Sequence, residues 1–328
     1  SIAYLLAFLA GGAAIARLLL PRQEAVKRAY LGFSLGVLLM MWLPVLWAYA
    51  VRFSFTAHYL ALGTLILLTG LAYALRDRRA ALPFDRAQKR RLLALACLVV
   101  PLTALSAYLQ YTHSIRLAAD GGYHVGQSTY GDLSLHLAIC TSIVNAPFPL
   151  HNSLMLGATM AYPYLSDSFA STLYMLGLPL NTAMALTGTL MMALVFTGYG
   201  LLCMQLCRRR GAAALAFFLL FLNGGMGFLY TLDATVEGYS VTSMWDNLRN
   251  VMNGYYQTPT NQPDPHNLRW VNIICDMLVP QRGILAGWTL LLPCLNLLIP
   301  PLTRRQSPTV RALVLLGLFA GGMPLAHT

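Results

Sequence analysis

Long apolar runs separated by short polar stretches dominate this chain. Runs of roughly 20 apolar residues recur, the length that an α-helix needs to cross a hydrocarbon core. The pattern predicts eight spans, at about 2–20, 31–51, 58–75, 92–111, 181–206, 212–230, 283–300 and 312–328. Two stretches between spans are long, at about 112–180 and 231–282. They are aromatic-rich and free of low-complexity sequence, so they read as ordered, functional loops. Within the first, Leu133, Leu137, Cys140 and Val144 fall at helical spacing and predict a surface helix over 131–145. Ser166–Leu176 predicts a second helix too short to span. No internal repeat is visible.

Composition supports the same class. Hydrophobic residues fill 57% of 328 positions and charged residues 10%, far below the roughly 25% charge of a soluble domain. The expected fold is therefore all-α: one polytopic transmembrane bundle, residues 1–328, with two long outer loops. The chain opens on Ser1 and stops at Thr328, each inside an apolar run, so it reads as part of a longer protein; no signal peptide with a cleavage site stands out.

Charge placement sets an expected orientation. The net charge is +11, but the basic residues lie in short blocks at 17–28, 76–91, 208–210 and 304–311, which is where loops held in the cytoplasm carry them. That distribution argues for a membrane protein and against a nucleic-acid partner, and it puts Ser1 outside. Eight of the eleven acidic residues and all seven histidines then fall in or beside the outer loops. The six cysteines form no CxxC pair and read as small core residues.

Four stretches gather the groups able to do chemistry. In Tyr130-Gly131-Asp132-Leu133-Ser134-Leu135-His136 the carboxylate and imidazole are four apart, on one helix face, fit for a general base and its partner; Thr129 and Asp132 equally have capping-box spacing. Asp120-Gly121-Gly122-Tyr123-His124 is a ligand approach or a turn. Ala161-Tyr162-Pro163-Tyr164-Leu165-Ser166-Asp167 offers tyrosines as a wall for a sugar or isoprenoid, or interfacial aromatics followed by a helix cap. His266-Asn267-Leu268-Arg269-Trp270 leads on to Asp276-Met277-Leu278-Val279-Pro280-Gln281-Arg282, where Arg282 would grip a phosphate, snorkel, or pair with Asp276. There is no GxxxxGK[ST] loop, no HExxH and no CxxC pair, so neither a nucleotide nor a metal motif is present. The glycine pairs at 11–12, 224–225 and 321–322 lie in or beside spans and suit close helix packing.

Taken together, Tyr130–His136, Ala161–Asp167, Asp276–Arg282 and the terminal Gly321-Gly322-Met323-Pro324-Leu325-Ala326-His327 resemble the GT-C superfamily of integral membrane glycosyltransferases, over roughly residues 112–328. That resemblance implies a transmembrane bundle with a large extracytoplasmic loop, and transfer of a sugar from a polyprenyl-phosphate carrier to a glycan, lipid or protein acceptor. It implies a bacterial inner (plasma) membrane enzyme whose active site faces the periplasm. Carried over, Asp132 is the first choice for the catalytic base and Asp120 the second, with His136 as partner. Arg282 and Gln281 meet the carrier phosphate, Tyr162 and Tyr164 face the sugar or lipid, and Asp167, His266 and Asp276 complete the substrate site. No cofactor is implied by any residue here, and a divalent cation has no residue-level support. Family members commonly place the loop after their first span, whereas four precede it here; either the amino-terminal spans are an addition or another residue is the equivalent of Asp132. The alternative reading is a transporter or flippase for a lipid-linked sugar, which would place polar groups deep within spans.

Overall fold

The structure is a computed structural model; it describes every residue except 77–83, 127–129, 156, 226–245, 247–248, 250–271, 304, 306 and 328. Among the described residues the chain is almost wholly helical, with one two-stranded hairpin. The described residues form ten α-helices, in order: α1 Ile2–Leu19, α2 Ala25–Val51, α3 Phe55–Leu75, α4 Arg86–Leu109, α5 Tyr130–Ile143, α6 Leu165–Met175, α7 Leu180–Leu206, α8 Arg210–Phe221, α9 Arg282–Thr303 and α10 Val310–Gly322.

Six of these, α1 to α4, α7 and α9, are long and apolar enough to cross a membrane, as in an integral membrane protein. The two remaining apolar helices, α8 and α10, run for 12 and 13 residues, shorter than the spans expected at 212–230 and 312–328. In α8 the helix stops at Phe221, just before Asn223-Gly224-Gly225, where asparagine and paired glycine make continued helix unfavourable.

The helices sort into an inner and an outer set. The most apolar windows of α2, α7 and α9 are 72, 67 and 61% buried, against 22–28% for α1, α3 and α4. The outer helices turn Leu67, Leu93 and Val100 outward, an arrangement that suits a hydrocarbon solvent and would be costly in water. Glycine permits the tightest crossing: a Cβ on Gly12 of α1 would run into Gly32 O and Gly36 N of α2. At the pair Gly321-Gly322, a Cβ on Gly322 would strike Leu38.

Several helices start earlier than hydropathy alone suggests, for identifiable reasons. Asp85 Oδ1 accepts from Gln88 N and starts α4 at Arg86, so the basic residues that follow form its first turns. In α2, Lys27 and Arg28 are buried near its start. Arg28 Nη1 donates to Pro21 O and Gln23 O, closing the turn from α1, and Arg91 pairs with Glu24 across to α4. These contacts, with Lys27 Nζ donating to Gln205 Oε1 of α7, tie together the end of the bundle that carries the arginine blocks.

The opposite end is built from shorter pieces. A π-helical turn, Gln110–Ser114, continues α4 into strand β1, Ile115–Leu117, which pairs antiparallel with β2, Tyr123–Val125. Helix α5 then packs on α6, and a second π-helical turn, Ile273–Leu278, precedes α9. The helix expected at 131–145 is α5, but its buried face is not the apolar stripe, of which Leu137 and Val144 are only half-buried. His136, Ile139 and Ile143 are buried with Leu133 and Cys140. Helix α6 is enclosed: Leu165 through Leu173 are all buried.

Candidate functional site

The site grows from the first turns of α5, α6 and α9. In α6 the first amide is satisfied by the end of the chain, since Leu165 N donates to Leu325 O at 3.0 Å. That bond fixes the terminal turn after α10 onto the same end of the bundle; His327 also packs against Gly287, where a Cβ would lie 2.8 Å from its own. Asp167 follows in the first turn of α6, where a carboxylate suits the helix dipole.

Asp167 is fully buried and has two partners. His136 Nδ1 lies 3.1 and 2.9 Å from its two carboxylate oxygens, and Arg282 Nε lies 3.4 Å from Oδ1. His136 is 1% exposed, so an acid, a base and a guanidinium share one dry volume. Because the carboxylate accepts, Nδ1 carries the hydrogen; among the described residues Nε2 takes no hydrogen bond. The carboxylate thereby fixes the tautomer and the orientation of the ring.

Arg282 opens α9, as the sequence suggested, but inside the bundle. Its Nη1 donates to Met184 O at 3.1 Å, and Nη2 donates to Ser166 O at 3.2 Å and Thr187 Oγ1 at 2.8 Å. The guanidinium thereby joins α9 to α6 and α7. The ion pair weighed with Asp276 does not form: Asp276 Oδ2 accepts from Asn272 N at 2.8 Å, and Arg282 pairs with Asp167 instead. Asn272 Oδ1 in turn accepts from Ile274 N and Cys275 N, starting the π-helical turn that leads to α9. Gln281 contributes backbone, its N donating to Met277 O and its O accepting from Leu285 N.

Tyr162 stands at the rim, 40% exposed, its ring set edge-on to that of His136 with the ring centroids 5.9 Å apart. Burial, then the carboxylates of Asp167 and Asp132, raise the Tyr162 hydroxyl above its ordinary pKa. Asp132 is therefore close enough to be felt there, and its own side chain is exposed one helical turn before His136. Tyr164 is buried against Phe148, ring centroids 5.9 Å apart, and so belongs to the core beneath this rim.

Asp120 sits elsewhere in the loop, at the tip of the β1–β2 hairpin, where Gly121 turns the chain at φ +81°. Its carboxylate accepts from Gly122 N at 2.8 Å and lies 3.5 Å from His124 Nε2. The first of these bonds, with a smaller contribution from His124, holds Asp120 below the usual carboxylate range. Of the two readings of this stretch, the turn describes its geometry. His266 and the run to Trp270 lie outside the described residues, as do Thr129 of the capping-box reading and the carboxylates of Asp233, Glu237 and Asp264.

Some of the supporting groups were not singled out by spacing. His58 of α3 is buried, with Nδ1 2.8 Å from Ser54 O and Nε2 3.1 Å from Thr172 Oγ1 of α6. Ser171 Oγ donates to Cys140 O and Asp167 O, each at 2.8 Å, locking α5 to α6 behind the acid. A sequence signal did exist: Ser166, Asp167, Ser168, Ser171 and Thr172 crowd one short helix whose neighbours are apolar, and buried hydroxyls need partners. Among the described residues no three His, Cys, Asp or Glu side chains converge as a metal site would require. The chain matches no known family model, no curated protein and no solved structure.

Proposed function

We propose that this protein is a membrane glycosyltransferase that moves a sugar from a polyprenyl-phosphate carrier to an acceptor on the extracytoplasmic side. The observation that carries the reading is convergence: Asp132, His136, Tyr162, Asp167 and Arg282 come from separate stretches and gather at the end of the bundle opposite the arginine blocks. Loop helices with an acidic rim at that end are what the GT-C resemblance implies; six helices long enough to span support the reading, which adds α8 and α10 as two further spans and puts the long loops outside.

In this reading Asp132 is the base. Its carboxylate is exposed, and among the described residues it has no hydrogen-bonding partner, so it is available to an acceptor hydroxyl. His136, one turn on and oriented by Asp167, is the second proton-transfer group. Tyr162 forms the wall against which a sugar ring or lipid lies. With a phosphate carrier as leaving group, direct displacement inverts the anomeric carbon, and no nucleotide is needed. Arg282 acts by holding α6, α7 and α9 in register, because its guanidinium is engaged by Asp167 and three oxygens; contact with a carrier phosphate would require it to give up some of them.

The test is an in-vitro transfer assay with purified protein and a panel of labelled polyprenyl-phosphate sugars. Transfer by the parent, lost in Asp132→Asn, supports the assignment. No transfer across the panel, together with movement of labelled carrier across sealed vesicles, replaces it with the transporter reading.

A further inference from the structure

The other end of the bundle holds a cavity that the proposed reaction does not use. It has a volume of about 960 Å³ and opens between the first turns of α4, the last turn of α7 and the start of α8. That volume lies at the upper end of the roughly 300–1,000 Å³ usual for small-molecule sites.

Its lining divides in two. One wall is apolar or small, including Ala94 and Leu98 of α4, Met204 of α7 and Ala213 and Ala214 of α8. The mouth is charged, and its charges do not cancel. Glu24 is paired with Arg91, and Asp85 caps α4 through Gln88 N while keeping its charge, so three arginines face two carboxylates. Arg208 and Arg210 also line the cavity; both are exposed and, among the described residues, have no hydrogen-bonding or ionic partner. Two free guanidiniums therefore stand over an apolar groove at the end of membrane-spanning helices. A phosphate satisfies the guanidiniums bidentately, and a groove between helix ends at that depth lies beside lipid chains.

We propose that this cavity is a binding site for an anionic phospholipid, with the headgroup phosphate on Arg208 and Arg210 and the upper acyl chain along the wall of α4 and α8. The charge pattern selects against a zwitterionic lipid, whose cationic headgroup would meet the same arginines. The apolar wall selects against free phosphate, which would leave it uncovered. Gly211 gives an independent steric probe, because it lines the cavity and a Cβ there would meet nothing within 4 Å. A large side chain at 211 can enter the groove without disturbing the helix packing or removing a charge.

The experiment is binding of fluorescent phosphatidylglycerol to the purified full chain in neutral detergent, with competition by unlabelled phosphatidylglycerol, phosphatidylcholine or inorganic phosphate. Saturable binding competed by phosphatidylglycerol alone is expected, weakening as salt is raised. The Arg208→Ala/Arg210→Ala pair is expected to bind roughly thirtyfold more weakly, the loss of two surface attractions to a phosphate. Gly211→Trp is expected to weaken binding with both arginines in place. Equal competition by phosphatidylcholine, displacement by inorganic phosphate at matched concentration, or parent-like binding by both variants overturns the proposal. Should a variant not fold, the parent still decides it. Cys207 lines the same cavity, so phosphatidylglycerol, and not phosphatidylcholine, should slow its reaction with a maleimide, and equal rates would sink the site.

Discussion

Arg282 Nε lies 3.4 Å from Asp167 Oδ1, and both side chains are 3% exposed or less. This pair is buried away from water, so its Coulomb attraction is set against a large desolvation cost. Replacing Arg282 leaves the buried carboxylate with His136 as its one partner, and replacing Asp167 leaves a buried guanidinium held by neutral oxygens alone, whereas replacing both with apolar residues of similar size removes the cost along with the attraction. Arg282→Met alone and Asp167→Leu alone should each destabilise the folded protein by about 3–5 kcal/mol. The double replacement should recover a large part of that loss. Thermal unfolding in detergent of the four proteins checks it: an additive double variant would show that the pair is not coupled.

What the sequence made legible, and what it hid, follows from the range of the interactions. The apolar runs announce α2, α7 and α9 because a span needs about 20 apolar residues whatever surrounds it. The i, i+4 relation of Asp132 and His136 is likewise local, and α5 reproduces it. The sequence offers Arg282 a nearby acid in Asp276, yet the structure joins it to Asp167 on another helix. No periodicity encodes a contact between separate helices. The polar link from Lys27 through Gln205 to Asn296 was hidden for the same reason. Asn296 alone gave a hint, as a lone amide within an apolar run that must find partners in the bundle: its Nδ2 donates to Gly198 O and Leu292 O, both at 2.9 Å.

The two candidate bases make a discriminating pair. Asp120 is occupied by Gly122 N and His124 in an exposed hairpin, whereas Asp132 is exposed beside Tyr162 and one turn from His136. In the transfer assay Asp132→Asn should lower turnover by about 10²–10⁴-fold, the usual worth of a positioned base, while Asp120→Asn should stay within a few fold. The reverse order would move the base to the hairpin.

Tyr162 should report on the same acidic rim. Burial and the carboxylates of Asp167 and Asp132 raise its hydroxyl above the ordinary tyrosine range. A protein carrying Asp132→Asn should therefore show part of its tyrosine absorbance change near 295 nm move to lower pH, because one of the charges opposing the phenolate has gone. The difference titration between parent and Asp132→Asn, repeated in a Tyr162→Phe background, isolates the effect. An unchanged titration would place Asp132 away from the ring.

Cys140 gives a prediction about the packing behind the acid. Burial, and to a lesser extent the charge of Asp167, pushes its thiol up to about 12, although Ser171 and Arg282 pull the other way. A thiol whose pKa is raised by folding favours the folded state at every pH below its ordinary value, and that contribution is lost as the pH climbs from there toward 12. At pH 8 the thiolate fraction is on the order of 10⁻⁴ for such a pKa, and the side chain is inaccessible besides. Cys140 should thus resist iodoacetamide in the folded protein and react once it is denatured, as followed by mass spectrometry of the peptide that carries it. Replacing Ser171 with Ala removes the hydroxyl that joins Cys140 O to Asp167 O, loosening the contact of α5 with α6. That variant should expose the thiol to labelling at lower denaturant than the parent. Rapid alkylation of Cys140 in the intact parent would mean that α5 does not close over Asp167, and the dry environment attributed to His136 and Arg282 would go with it.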